Sequence, residues 1–159
     1  MNGYIFAIGG GNNIDINIFK EMLKKSKNNN VLLITDASTY AFTNHSGKAS
    51  KSFNQFNNIN INKRKLNNIT NLNELNKLLE DHGIIYFTGG FQSYLGNKIN
   101  HFNQKNKTNI RKSLIKYLLN RGVIGGTSAG ASILGKYMPN GMVSGFRNNR
   151  LYLGNMPLD

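Results

Sequence analysis

Four short runs in this chain are apolar at every position, and each leads into glycine or a small polar residue. They are Tyr4-Ile5-Phe6-Ala7-Ile8, Val31-Leu32-Leu33-Ile34-Thr35, Ile84-Ile85-Tyr86-Phe87-Thr88 and the shorter Val123-Ile124 before Gly125-Gly126-Thr127. A run without polar alternation suits a strand buried on both faces, as in a parallel sheet. Amphipathic stretches lie between them. Residues 16–27 place Ile18, Phe19, Met22 and Leu23 on one side and lysines on the other, and residues 73–81 set Leu75, Leu78 and Leu79 at helical spacing before Gly83. Residues 110–120 carry Ile110, Leu114, Ile115, Leu118 and Leu119 and stop at Gly122. Strand-helix alternation with glycine punctuation predicts a three-layer α/β domain with helices on both faces of the sheet. Segment 44–71 is less regular, with a short helix expected over 50–56 and a basic strand over 59–66. The Asn-rich patches at 28–30, 57–62 and 97–109 read as loops or polar faces. No repeat or domain boundary stands out, so 1–159 is read as a single domain.

Composition excludes several classes of chemistry. The 159 residues contain no cysteine, which removes disulfides, thiolate metal sites and cysteine nucleophiles. No apolar run approaches the roughly 18 residues a membrane span requires. The N-terminus lacks a basic leader region, so a cytoplasmic protein is expected. The net charge of +13, from 20 Lys+Arg against 7 Asp+Glu, invites an acidic ligand or nucleic acid. The basic residues are scattered, however, and no aromatics interleave with them as stacking platforms. With 28 asparagines in the same chain, the charge reads as compositional bias, and nucleic acid is not the expected partner.

The stretch that carries chemistry is Gly126-Thr127-Ser128-Ala129-Gly130. It follows a buried strand and precedes a helix-compatible run, which is the setting of a G-x-S-x-G nucleophile elbow. Such a turn lifts the Ser128 hydroxyl to the carboxyl end of the sheet and sets the Ala129 N–H where it can stabilise an oxyanion. A second block, Thr88-Gly89-Gly90-Phe91-Gln92, ends another buried strand. Its glycines let the backbone approach a substrate, with N–H groups near Gly90 and Phe91 as the second oxyanion donor and Gln92 as a substrate contact. Gly9-Gly10-Gly11 does not fit a dinucleotide loop, because Ile14 stands where the third glycine belongs and Asp15 opens the next helix. It is read as a turn close to the site. The segment Asp36-Ala37-Ser38-Thr39 is read as a helix cap, with a pocket wall as the other reading. Arg147 and Arg150 are either solvated loop charges or attractors for an acidic substrate.

Taken in order, the triple glycine, Ile34-Thr35-Asp36-Ala37-Ser38-Thr39, Tyr86-Phe87-Thr88-Gly89-Gly90-Phe91-Gln92-Ser93-Tyr94-Leu95 and residues 122–132 resemble the peptidase E and cyanophycinase family of serine peptidases. The resemblance covers the chain to about Met138. It implies a doubly wound, mostly parallel, flavodoxin-like sheet of the class I glutamine-amidotransferase type, with serine in place of that superfamily's cysteine. It also implies hydrolysis of aspartyl dipeptides or related isopeptides through an acyl-enzyme, with no cofactor or metal. Ser128 is then the nucleophile, Gly90, Phe91 and Ala129 surround the oxyanion, and Gln92 meets substrate. A homodimer is compatible with this reading.

The match departs from the family's pattern at the base. A serine needs an imidazole to take its proton, and in the family that histidine lies downstream. Here His45, His82 and His101 all lie upstream. Residues 151–159 resemble the segment just ahead of the family's histidine, with Asp159 as the candidate for an aspartate two positions before it. The chain is therefore expected to stop short of its general base and to lack the family's C-terminal strands. The alternative function is a catalytically incomplete member that binds an acidic peptide or a partner protein.

Overall fold

The computed structural model describes residues 3–10, 14–38 and 44–135, together with the backbone of two short strands at 138–139 and 153–154; the side chains of 44–46 are outside this set. Five strands form one all-parallel sheet: β1 (Tyr4–Ile8), β2 (Asn30–Ile34), β3 (Asn60–Arg64), β4 (Ile84–Phe87) and β5 (Val123–Thr127). Their order across the sheet is β1-β5-β4-β2-β3. The strands late in sequence, β4 and β5, are thus inserted between β1 and β2. Because all five run the same way, the segments that follow β1, β2, β4 and β5 leave from one edge.

Strand residues alternate between two apolar layers, as the period of two requires. Leu32, Ile34, Ile85, Phe87 and Ile124 pack against α3 (Leu72–Asp81), α4 (Gln92–Lys105) and α5 (Ile110–Leu119). On the other face Val31, Leu33, Ile84, Tyr86 and Val123 meet α1 (Ile16–Lys25) and α2 (Asn44–Phe53). A cluster of Phe19, Phe53 and Tyr86 anchors that second layer, with ring centroids 4.8–5.8 Å apart. The three-layer α/β expectation holds. A four-residue turn of helix, α6 (Ala129–Ser132), follows β5, and β6 (Met138–Pro139) pairs antiparallel with β7 (Leu153–Gly154). Among the described residues no helix is long and apolar enough to cross a membrane.

Several asparagines do structural work at helix starts. Asn71 accepts the Glu74 N–H at 3.0 Å, while the Glu74 carboxylate takes the Thr70 N–H and hydroxyl at 2.7 Å each, satisfying the free amides of α3 from both directions. Asn109 caps α5 through the Arg111 N–H, and Asp15 caps α1 through that of Asn17. Two details differ from expectation. The helix expected over 50–56 spans Asn44–Phe53 instead, packing through Ala49 and Phe53. β1 is not buried on both faces. Among the described residues it pairs with β5 alone, and Ile5 is 55% exposed and Ala7 is also open to solvent.

Candidate active site

The edge where the strands end carries every chemically suggestive motif. β5 lies between β1 and β4, so the segment after it is flanked by the glycine turn after β1 and by the Gly89-Gly90 turn after β4. Ser128 sits at the start of α6 with φ 53° and ψ −114°, a backbone conformation that L-residues rarely adopt. That strain is the mark of a nucleophile elbow, in which the serine is held above a sharp strand-to-helix turn. Thr127 and Ala129 on either side are buried, whereas Ser128 is exposed.

The flanking glycines make the turn possible. A Cβ at Gly126 would overlap the Gly130 carbonyl oxygen, and one at Gly130 would overlap the carbonyl of Phe87 on β4. The elbow thus folds back on itself and against the neighbouring strand. The Ser128 N–H donates to the Ile8 carbonyl at 3.0 Å, tying the elbow to the end of β1. A side chain at Gly10 would begin 3.6 Å from the Ser128 hydroxyl oxygen, so this turn borders the serine as expected. Beneath the elbow the Tyr86 hydroxyl hydrogen-bonds the Thr127 hydroxyl. Burial pushes the Tyr86 phenol up to about 12, with the Thr127 bond acting in the opposite direction. Sequence reasoning missed this pair, since Tyr86 read only as one more apolar strand residue.

On the β4 side, Gly90 has φ +138°, and a Cβ there would overlap the Ala37 carbonyl oxygen. The Phe91 N–H donates to that same carbonyl at 2.8 Å. This corrects the expectation that Phe91 contributes an oxyanion donor, because its N–H is committed to the β2 loop. The N–H groups of Gly90 and Ala129 have no hydrogen-bond partner among the described residues. Phe91 still lines the rim, its ring 5.8 Å from that of half-exposed Tyr94. The Gln92 Nε2 donates to the Ser132 hydroxyl at 2.8 Å, and that hydroxyl donates to the Ser128 carbonyl at 3.2 Å.

The remaining candidates lie elsewhere or outside the described residues. Buried His82 precedes β4, at the opposite edge of the sheet, with Nδ1 2.7 Å from the Leu78 carbonyl. His101 is exposed far along α4. His45 falls in the first turn of α2, and its side chain is outside the described set, as are Gly11, Thr39, Arg147, Arg150 and Asp159. No imidazole or carboxylate among the described residues hydrogen-bonds the Ser128 hydroxyl. No cluster of three His, Asp or Glu side chains suited to a metal occurs among them either.

Asp36 is a cap, although not of the helix that follows it. Its buried carboxylate accepts the Leu66 N–H at 2.9 Å, closing the single 3-10 turn at Leu66–Asn68. Desolvation raises its pKa above 3.8, against the Leu66 bond and the nearby Lys98 and Lys65 charges. Folding therefore favours the protonated form. In the window from 3.8 up to the raised folded pKa, the native state holds more proton than the unfolded one, so this group lowers stability as pH rises. Asp36→Asn keeps an acceptor for Leu66 and removes the titration. Urea unfolding at pH 4 and pH 7 should show the variant gaining on the parent at the higher pH; parallel curves would contradict this.

Comparison with known proteins adds a lineage to the geometry. The sequence profile of peptidase family S51 matches residues 5–145. Among solved structures, the chain is similar to a protein of Listeria monocytogenes EGD-e described as a peptidase E, with a TM-score of 0.64 and 19% identity over 86% of this chain and 63% of that one. It is also similar to a peptidase from an acI-B1 Actinobacterium, with a TM-score of 0.60 and 20% identity over 88% of this chain and 59% of that one. The chain thus spans about three-fifths of the length of each. No curated protein matches it.

Proposed function

Because the chain belongs to peptidase family S51, we propose that it is a serine peptidase whose nucleophile is Ser128. The observation that carries this reading is the exposed Ser128 at φ 53°, followed by the Ala129 N–H and flanked by the turn after β4 that holds the Gly90 N–H, neither of which has a partner among the described residues. Ser128 Oγ attacks the scissile carbonyl, forming a C–O bond as the carbonyl π pair moves onto oxygen. That charge develops between the two N–H groups, where preorganised donors lower the barrier most. Collapse expels the amine, which takes up a proton, and leaves an ester on Ser128 that water hydrolyses. The group that accepts the serine proton is not among the described side chains.

The substrate reading is an aspartyl dipeptide or a related isopeptide. Membership of peptidase family S51 supports a peptide substrate, and the acidic preference follows from the resemblance rather than from the net charge. Treating the full chain with a fluorophosphonate and mapping adducts by peptide mass spectrometry tests the nucleophile. One adduct at Ser128, slowed by prior addition of an aspartyl dipeptide, is the expected result. Labelling only at other residues would overturn the assignment and favour a member that binds an acidic peptide without cleaving it. On turnover, kcat/KM for Asp-Leu should exceed that for Lys-Leu by at least about tenfold, the scale of one well-placed charge interaction. Equal values would remove the acidic preference alone.

A further inference from the structure

We propose that Ser38 and Ser132 are positioning residues for the two oxyanion donors, each acting through the carbonyl of the peptide unit that carries the donor. The Gly90 N–H belongs to the Gly89–Gly90 peptide. The Ser38 hydroxyl stands 3.3 Å from the Gly89 carbonyl oxygen and 3.2 Å from the Thr88 hydroxyl. The Thr88 hydroxyl donates to the Ile34 carbonyl at 3.3 Å, so the one Ser38 proton is shared between the Gly89 carbonyl and the Thr88 oxygen. The Ala129 N–H belongs to the Ser128–Ala129 peptide, whose carbonyl accepts the Ala131 and Ser132 N–H groups at 2.9 Å each, with the Ser132 hydroxyl added at 3.2 Å.

A peptide unit is rigid and planar, with its C=O and N–H pointing in opposite directions. Fixing the carbonyl end therefore aims the amide end. A hydrogen bond at the carbonyl also polarises the unit and makes its N–H a stronger donor. The same device thus occurs on both candidate donors, supplied by different elements, the loop after β2 and the helix after β5.

Gln92 links the two. It opens α4 directly after the Gly89–Phe91 turn, and its amide donates to the Ser132 hydroxyl at 2.8 Å. The α4 end that follows the first donor is thereby tied to the α6 turn carrying the second. This gives Gln92 a role in holding their separation.

The inference rests on the serine peptidase reading for its kinetic consequence, but not for its structural one. In 15N-labelled full chain, Ser132→Ala should displace the Ala129 amide resonance, and Ser38→Ala that of Gly90, while amides in the middle of β2 and β4 stay in place. Ser132→Thr, which keeps a hydroxyl, should restore the Ala129 resonance. On turnover, each alanine variant should lose about tenfold in kcat at unchanged KM, the pattern of a contact made only in the transition state. That is less than the roughly 100-fold or greater loss from deleting a donor itself. Unmoved resonances would overturn the inference, as would a parental kcat in both alanine variants. Parental turnover in Ser128→Ala would instead overturn the peptidase reading, leaving the resonance test to decide the positioning role alone.

Discussion

Ser128→Gly is expected to stop hydrolysis and leave the protein at least as stable as the parent. The two effects have separate causes. Removing the nucleophilic oxygen leaves only binding and oxyanion stabilisation, a loss of about 10^6-fold in kcat where such deletions have been made in serine peptidases. The stability effect comes from the backbone. At φ 53° and ψ −114° a residue with a Cβ carries strain of order 1–3 kcal/mol, which glycine largely escapes. Glycine's greater freedom in the unfolded chain subtracts about 0.5–1 kcal/mol. The remainder is a gain of up to about 2 kcal/mol, or roughly 4–8 °C in Tm for a domain of this size. Ser128→Ala loses the same activity but keeps the strain, so its Tm should match the parent's. Thermal unfolding of the three proteins, with turnover measured on each, separates the causes. Equal Tm values for Ser128→Gly and Ser128→Ala would limit the strain to the ~0.5–1 kcal/mol that glycine's unfolded-state freedom offsets, and a lower Tm for Ser128→Gly would show that the elbow stores less.

The opposite outcome is expected one turn later. Gly130→Ala places a methyl group on the Phe87 carbonyl, and the nearby obstacles include backbone carbon and oxygen as well as the Phe87 Cβ. Flexible side-chain ends can give way, but here β4 or the elbow must shift. Overpacking of this kind costs about 1–3 kcal/mol and occasionally more, and a rigid central strand puts it at the upper end. A fall of roughly 6–12 °C in Tm follows from about 3 kcal/mol. Activity should fall as well, because separating α6 from β4 moves the Ala129 N–H away from the Gly90 N–H. Gly47→Ala is the control. Gly47 lies on α2 with open space where its Cβ would point, so alanine should be neutral or stabilising by up to about 1 kcal/mol. A Gly130→Ala protein that melts with the parent would mean the elbow is not pressed against β4.

The residues differ in how openly their sequence shows their place. The runs Val31–Ile34 and Ile84–Phe87 and the pair Val123-Ile124 lack polar alternation because helices cover both faces of the sheet there, and that apolarity is a direct trace of burial. The run at Tyr4–Ile8 looks identical, yet among the described residues β1 is an edge strand with one face open; composition alone does not distinguish edge from centre. α2 was misplaced because its buried positions, Ala49 and Phe53, are few and its other residues are small or polar. At the site, Gly126-Thr127-Ser128-Ala129-Gly130 was legible because its glycines answer a steric need that only glycine meets. Phe91 was not, since the fate of one N–H depends on a loop more than fifty residues earlier. Ser132 had a local signal that went unread: a serine four residues after the nucleophile, on a helical turn, reaches back to that residue's carbonyl. Its link to Gln92 had none.

The bond from the Ser128 N–H to the Ile8 carbonyl ties the turn carrying the proposed nucleophile to an outer strand of the sheet. Among the described residues β1 has a single neighbour, β5, and it offers solvent a half-bare face. Edge strands of this kind open locally at a fraction of the free energy needed to unfold a domain. Each such fraying event would release the elbow's amide along with the strand end. Such opening is expected to release Ser128 without global unfolding, and amide hydrogen exchange faster along β1 than along β4 would report it.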